Sequence, residues 1–180
     1  MSEEERNQRM GAFVRAQHIY RSDEIAGTRV DLALVDDLVS QGVVDGRARK
    51  QIELAFQEAL SNSLEHGNLE LDSAWREETD SRGVDRYSLT RAERLRDPRF
   101  GARKVTVVVE CGAEFLEIRI GDEGPGFVPK PRKFSPGDTQ CSGRGLALIE
   151  ECLDEVRYER GGREVVMRKK LRKDQNGAQV

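Results

Sequence analysis

Three polar residues, Glu58, Asn62 and His66, recur every fourth position in one stretch of the chain. The apolar residues around them keep the three-and-four spacing of a helix face, which predicts a helix from about Asp45 to His66. Residues four apart stack on a helix, so the row spans roughly 12 Å along the border of the apolar face. A carboxylate, an amide and an imidazole in this position form either a solvated helix edge or the polar lining of a ligand cleft.

A D-x-G-x-G motif at residues 122–126 follows a predicted strand. Alternation of apolar and charged residues over 116–120 indicates that strand and places Asp122 on its apolar side. A carboxylate that faces inward needs a hydrogen-bond donor, and the exocyclic amine of adenine would supply one. Gly124 and Gly126 would let the backbone approach the base without a Cβ in the way.

A G-x-G-L motif, from Gly143 to Leu146, opens another predicted helix. The N–H groups of Gly143 and Gly145 at the positive end of that helix suit the phosphates of a nucleotide. The guanidinium of Arg144 would add a contact to the same oxygens. Each motif alone also fits an ordinary turn or loop, but their order along the chain favours one shared site.

The combined motifs predict a site for a purine triphosphate. Asn62 would offer its amide oxygen to Mg²⁺, which takes few protein ligands and completes its shell with phosphate and water. Glu58 lies one turn before Asn62 and would take a proton from an attacking hydroxyl. His66, at the far end of the row, would pack or hydrogen-bond near the base.

The motifs E-x-x-x-N-x-x-x-H, D-x-G-x-G and G-x-G-L resemble those of the Bergerat-fold ATPases, the GHKL superfamily. Within it, the chain is most similar to the small anti-sigma-factor serine/threonine kinases of bacterial partner switching. The resemblance extends from about Phe13 to Lys170. It implies a two-layer α/β sandwich in which about three helices cover one face of a mixed, mostly antiparallel sheet. ATP would lie between the helices and a lid at residues 128–142.

The resemblance also implies an activity and partners. Such kinases phosphorylate a serine or threonine of a STAS-domain antagonist, sequester a sigma factor in another state, and often form homodimers. The implied cofactors are ATP and Mg²⁺. The implied roles are catalytic base for Glu58, magnesium ligand for Asn62, adenine contact for Asp122, and nucleotide contacts for Gly124, Gly126, Gly143 and Gly145.

Some positions depart from the family pattern. Ser63 stands where relatives usually have alanine, and Arg163 and Glu164 stand where many have a threonine. Residues 68–103, called the insert below, are rich in Arg, Asp and Glu and are absent from the smallest kinases. They are expected to lie outside the core, as a solvated loop or a partner-docking element, with a short helix near residues 89–95.

The remaining chain is expected to form one domain at residues 13–171, between a disordered start (1–12) and a flexible tail (172–180). The predicted elements outside the motifs are a strand over Phe13 to Tyr20, a helix over Ser22 to Gln41 closed by Gly42, a strand over 105–110 and a final hairpin over 156–168. Gly67 is expected to be the C-terminal glycine of the Asp45–His66 helix.

Composition excludes several classes of protein. The 180 residues carry a formal net charge of −3, which argues against a dedicated nucleic-acid binder. Cysteines at 111, 141 and 152 form no C-x-x-C pair and fit a reducing cytoplasm. The sequence contains neither an apolar run long enough to span a bilayer nor a G-x-x-x-x-G-K-[ST] motif of P-loop enzymes. A cytoplasmic kinase is therefore predicted, and a nucleotide-gated binding module without phosphate transfer is the alternative.

Overall fold

Strands that are distant in the chain come together in one antiparallel sheet. The computed structural model describes residues 14–26, 33–112, 114–127 and 144–171. The strands in these ranges are β1 (Val14–Arg21), β2 (Lys104–Cys111), β3 (Phe115–Gly121), β4 (Glu155–Glu159) and β5 (Glu164–Lys170). Their order in the sheet is β1-β2-β3-β5-β4, and each pairing is antiparallel. The predicted strands and the closing hairpin are confirmed.

Helices connect the strands and cover one face of the sheet. Those in the described part are α1 (Ser22–Ile25), α2 (Ala33–Ser40), α3 (Gly46–Ser61), a π-helix (Asn62–Asn68), a 3₁₀-helix (Ser73–Arg76), α4 (Arg86–Arg96), α5 (Pro98–Gly101) and α6 (Arg144–Cys152). None of them is long and apolar enough to cross a bilayer. The predicted disordered start, the lid at 128–142, Gly143 and the tail at 172–180 lie outside the described residues.

The core lies between the sheet and the pair formed by α3 and α6, which pack against each other. The side chains buried there come from both layers, including Ile52, Phe56, Ile149, Ile118, Ile120 and Met167. Burial of this apolar surface is the main force that holds helices on the sheet. The predicted two-layer α/β sandwich is confirmed.

The opposite face of the sheet carries mostly polar side chains, with Val108 and Val166 buried among them. Glu117 of β3 is buried there between Arg119 and Arg168, and its carboxylate accepts hydrogen bonds from both guanidinium groups. Although burial alone would raise the pKa of Glu117, these two arginines hold it below its ordinary value. Paired charges of this kind let a sheet face carry ionised side chains without an apolar cover.

The prediction of one helix over Ser22 to Gln41 is wrong, because the described residues of this range form two separate helices. The first one, α1, ends at Ile25, and Ala26 is extended with a ψ of 108°. The residues that follow are Gly27 and Thr28, both poor helix formers. Gly42 ends α2 as expected, with a φ of +72° that favours glycine.

The predicted helix from Asp45 to His66 changes its winding at the motif. Asp45 caps the start, where its carboxylate accepts a hydrogen bond from the Ala48 N–H at 2.7 Å. From Asn62 onward the helix widens into the π-helix, in which the Leu69 N–H donates to the Leu64 carbonyl at 2.8 Å. Such widened turns are common at functional sites.

The insert packs onto the domain, so the expectation that it lies outside the core is wrong. Leu69, Leu71 and Tyr87 are at most 3 % exposed and belong to the main apolar cluster. The Glu65 carboxylate on the π-helix holds the insert in place, accepting hydrogen bonds from the Tyr87 hydroxyl at 2.5 Å and the Arg91 guanidinium at 3.1 Å. The predicted short helix is confirmed within α4.

Candidate functional site

A cavity of about 310 Å³ lies between the π-helix, the start of α6 and the inner face of the sheet. Residues from each of the three motifs form its wall: Asn62, His66, Asp122, Gly126, Gly145 and Leu146. The π-helix contributes the first two, the loop after β3 the next two, and the first turn of α6 the last two. Segments that are far apart in sequence therefore meet at one hollow.

Asp122 is the buried carboxylate of this cavity. It is 7 % exposed and faces inward at the end of β3, as the alternation of the strand predicts. Its Oδ1 accepts a hydrogen bond from the Gly124 N–H at 2.9 Å, and its own N–H donates to the Arg163 carbonyl at 2.9 Å. Among the described residues none donates to Oδ2, so this oxygen is left to accept from a ligand.

The environment of Asp122 changes its acidity. Burial raises the pKa of its carboxyl to about 6, and the Gly124 N–H and the charges of Arg160 and Arg163 offset only part of that rise. The group is therefore mostly ionised at neutral pH and becomes protonated in mildly acidic solution. A neutral carboxyl is the poorer acceptor for an amine donor.

ATP affinity is expected to fall about tenfold between pH 7 and pH 5, because the ionised fraction of Asp122 drops through its pKa of about 6. Calorimetric titration of ATP into the protein across this range measures the effect. The nucleotide also titrates, so the Asp122→Asn protein is measured in the same buffers as the control. Parallel pH profiles for the two proteins would show that Asp122 does not contact the ligand.

Two glycines behind Asp122 are required by close packing. A Cβ on Gly67 would lie 2.5 Å from the Cγ of Asp122, and a Cβ on Gly124 would lie 2.2 Å from the Gly67 carbonyl oxygen. The prediction that Gly67 ends the helix is wrong, since it lies inside the π-helix. Gly124 does not line the cavity, and its lack of a side chain makes room for Gly67 instead of a base.

Gly67→Ala is expected to weaken ATP binding by about tenfold or more, because the added methyl would displace the Asp122 carboxylate. Calorimetry of ATP binding, paired with thermal unfolding, measures both consequences. Gly46→Ala is the matched control, since a Cβ at that helical position meets no atom within 4 Å. Equal ATP affinity of wild-type and Gly67→Ala proteins would contradict this role of Gly67.

Glu58 and Asn62 approach the first turn of α6. A Cβ on Gly145 would lie 2.7 Å from Oε2 of Glu58 and 3.6 Å from Nδ2 of Asn62. Asn62 and Gly145 line the cavity, whereas Glu58 lies beside Gly145 without forming the wall. Only a residue without a side chain lets a carboxylate, an amide and the N-terminal turn of a helix come this close.

His66 is anchored at both ring nitrogens. Its Nδ1 lies 2.7 Å from the Leu71 carbonyl oxygen, and its Nε2 lies 3.4 Å from the Ser73 hydroxyl oxygen. A carbonyl only accepts, so the geometry assigns the proton to Nδ1 and leaves Nε2 to accept from Ser73. Since Ser73 also lines the cavity, His66 ties the start of the insert to the site. The spacing of the motifs does not indicate this contribution of the insert.

One departure from the family pattern, Glu164, lies at the cavity together with Val165. Glu164 pairs with Gly121, whereas Val165 pairs with Ile120 on the inner face and is 7 % exposed. Glu164 and Val165 both line the cavity, so a charged and an apolar side chain of β5 stand beside it. The alternation of residues along β5 is sufficient to predict that Val165 faces inward, because it shares a face of the strand with Met167.

Two hydroxyl groups of the cavity wall are not part of any predicted motif contact. Ser63 is 6 % exposed and lines the cavity. Tyr158 of β4 also lines it, and its buried hydroxyl has no hydrogen-bond partner among the described residues. The Tyr158 ring packs edge-on against Phe127, with ring centroids 5.4 Å apart. These groups suit a ligand with both an aromatic surface and polar edges.

Two sequence predictions fall outside what the structure describes. Gly143 and the side chain of Arg144 are not among the described groups, although Arg144 is the first residue of α6. Their phosphate contacts remain predictions. The residues that are described fit a nucleotide, because a buried carboxylate with a free acceptor oxygen, an apolar wall and a helix start with glycine converge on one cavity.

Comparison with known families agrees with this geometry. Residues 26–169 match the family model of the histidine kinase-like ATPase domain. Among curated proteins none matches the chain. The matched range contains all three motifs and most of the chain, which confirms the resemblance to the GHKL ATPases and supports ATP as the ligand. The chain therefore belongs to the family of histidine kinase-like ATPase domains.

Proposed function

We propose that this protein is an ATP-dependent serine/threonine protein kinase of the anti-sigma-factor type. Its substrate would be a hydroxyl of a STAS-domain antagonist, and in its other state it would sequester a sigma factor. The observation that supports this proposal is the position of Glu58, whose carboxylate lies beside Gly145 at the start of α6 and one turn from Asn62. A binding site without chemistry has no need of a carboxylate there.

Each of the described site residues has a separate role in the proposed reaction. The bound nucleotide would supply the phosphoryl group that is transferred. Asp122 holds the base by accepting from its amine, and the N-terminal turn of α6 with Gly145 faces the phosphates. Asn62 offers its amide oxygen as the protein ligand for Mg²⁺. Glu58 accepts the proton of the incoming serine or threonine hydroxyl as its oxygen bonds to phosphorus and ADP leaves.

Labelled ATP tests the proposal directly. The full chain, Mg²⁺ and a purified STAS-domain protein are incubated with ATP labelled at the γ-phosphate, and the antagonist is then examined for label. We expect label on a serine or threonine of the antagonist. A STAS-domain protein with that residue changed to alanine is the control. If the protein binds the nucleotide but no antagonist becomes labelled, the kinase activity is rejected and only the ATP-binding function is retained.

The insert favours a second candidate function, a nucleotide-gated binding module without phosphate transfer. Ser73 of the insert lines the cavity, and Glu65 holds Tyr87 and Arg91 of the insert on the same helix that carries the motif. Binding of a nucleotide in the cavity would therefore change the surface that the insert presents to a partner. Retention of a sigma factor on the immobilised protein only with ATP, together with no transfer to an antagonist, would favour this function. Sedimentation with and without nucleotide would test the proposed homodimer.

A further inference from the structure

Asn68 is a fully buried polar residue next to the cavity that none of the three motifs includes. It ends the π-helix and is 0 % exposed. Its Nδ2 donates to the Ser22 hydroxyl oxygen at 2.9 Å and to the Lys104 carbonyl oxygen at 3.1 Å. Its Oδ1 accepts from the Glu123 N–H at 2.8 Å. One amide thus connects three separate segments of the chain.

The bond to Glu123 acts on the loop that carries Asp122. Glu123 follows Asp122 directly, and its carboxylate accepts from the Lys104 N–H at 2.8 Å. The Gly124 N–H in turn donates to Asp122. The peptide groups on the C-terminal side of Asp122 are therefore held by Asn68 and by Asp122 itself, while the Asp122 N–H is held by the carbonyl of Arg163, the residue before β5.

The other two bonds of Asn68 anchor it to the first residues of α1 and β2. Ser22, which accepts from Nδ2, is 0 % exposed and donates its own hydroxyl to the Arg103 carbonyl at 2.9 Å. Lys104 is the first residue of β2. A buried side chain that makes three hydrogen bonds has a single orientation, and it fixes the position of the group that it holds.

We propose that Asn68 is a positioning residue that sets the direction of the Asp122 carboxylate and thereby the preference of the site for a purine that bears a 6-amino group. The inference rests on the proposed function only in that ATP must bind in this cavity. A site built to hydrogen-bond an N–H group rejects the analogue that lacks it, provided that the acceptor is held in place. Without the bond from Glu123, the loop loses one of the hydrogen bonds that fix the direction of the Asp122 carboxylate.

The test compares two nucleotides on the full chain. ATP carries the 6-amino group, and purine riboside 5′-triphosphate lacks it but keeps the ring, ribose and phosphates. We expect Asn68→Ala to weaken ATP binding about tenfold and to change binding of the analogue by no more than about twofold. In the Asp122→Asn background, Asn68→Ala is expected to cause no further loss for ATP, because the two residues act through one contact.

A second variant separates positioning from folding. Asn68→Asp keeps an oxygen that accepts from the Glu123 N–H but removes the donors to Ser22 and Lys104. It is expected to melt at a lower temperature than wild type while keeping the preference for ATP over the analogue. Leu116→Ala, a core change at the far end of β3 from Asp122, is the control for lost stability alone.

The outcomes are distinct. Equal losses for ATP and the analogue in Asn68→Ala, or unchanged ATP affinity, would overturn the inference. If Asn68→Ala does not fold, loss of the ATP preference in Asn68→Asp would overturn it, and retention would support it. Failure of the wild-type protein to bind either nucleotide would instead reject ATP binding at this site, and with it the proposed function.

Discussion

Glu58→Gln is expected to slow phosphate transfer to the antagonist by about 10²- to 10⁴-fold while ATP affinity stays within about threefold of wild type. Glutamine keeps the size of the side chain beside Gly145, where a Cβ would already lie 2.7 Å from Oε2. It removes the ability to accept a proton, which is the one property that the proposed reaction requires of this residue. Binding is spared because Glu58 does not form the cavity wall.

Single-turnover transfer of labelled phosphate, measured beside calorimetric ATP affinity, separates the two effects. Glu151→Gln is the matched control, since it removes an exposed carboxylate from α6 without touching the cavity. Full transfer by the Glu58→Gln protein would remove Glu58 from the chemistry. Parallel loss of transfer and ATP affinity would instead make it part of the binding site.

The periodic parts of the fold were predictable from the sequence. Strands β2 and β3, the hairpin of β4 and β5, and helix α3 follow from alternation or from helical spacing, because one face of each element must be apolar to pack. The inward direction of Asp122 follows from the same parity. These features depend on residues close together in the chain, so a sequence pattern is enough to find them.

Features that depend on distant contacts were not predictable. Asn68 bonds Glu123 across 55 residues and Ser22 across 46, and no local pattern indicates either pairing. The π-helix contains Gly67, which packs closely against the Asp122 carboxylate from another part of the chain. The charged composition of the insert gave no indication that Leu69 and Tyr87 are buried. Both pack in the main apolar cluster, and the Tyr87 hydroxyl donates a hydrogen bond to Glu65.

The π-helix makes polar contacts with both the insert and the loop of Asp122. Glu65, His66 and Asn68 lie on either side of Gly67 on the π-helix, and each makes a polar contact. Glu65 and His66 both contact the insert, at Tyr87 and Leu71, and Asn68, the first residue of the insert, bonds Glu123 in the loop of Asp122. The π-helix is therefore the element through which the insert and the loop of Asp122 are connected.

Asp122→Asn is expected to change affinity and stability in opposite directions. ATP binding should weaken by about 1.5–3 kcal/mol, roughly 10- to 150-fold, because the amide nitrogen cannot accept from the base. The Oδ1 of asparagine can still accept from the Gly124 N–H, so the loop after β3 keeps its bond. Calorimetry of ATP binding measures this loss, and Glu77→Gln, which removes an exposed carboxylate of the insert, is the control for charge alone.

The stability of the protein without nucleotide should rise. Burial raises the pKa of Asp122 to about 6 in the folded state, so its ionised form costs folding free energy above pH 6, and the cost disappears as the pH falls toward the ordinary carboxyl range. At pH 7 to 8 the asparagine protein should therefore unfold with a free energy about 1–3 kcal/mol higher than wild type. Below about pH 4 the two proteins should converge. Urea unfolding at pH 7.5 and below pH 4 measures the difference in the free energy of unfolding.

Two outcomes would contradict this explanation of the stability change. If the variant loses ATP affinity but gains no stability at neutral pH, the carboxylate is solvated in the free protein. If it gains stability at both pH values, the cause is packing and not charge. Burial of the ionised Asp122 carboxylate costs stability in the free protein, and a hydrogen bond from the ligand would offset that cost. Such a cost is expected of a residue that is retained for ligand binding.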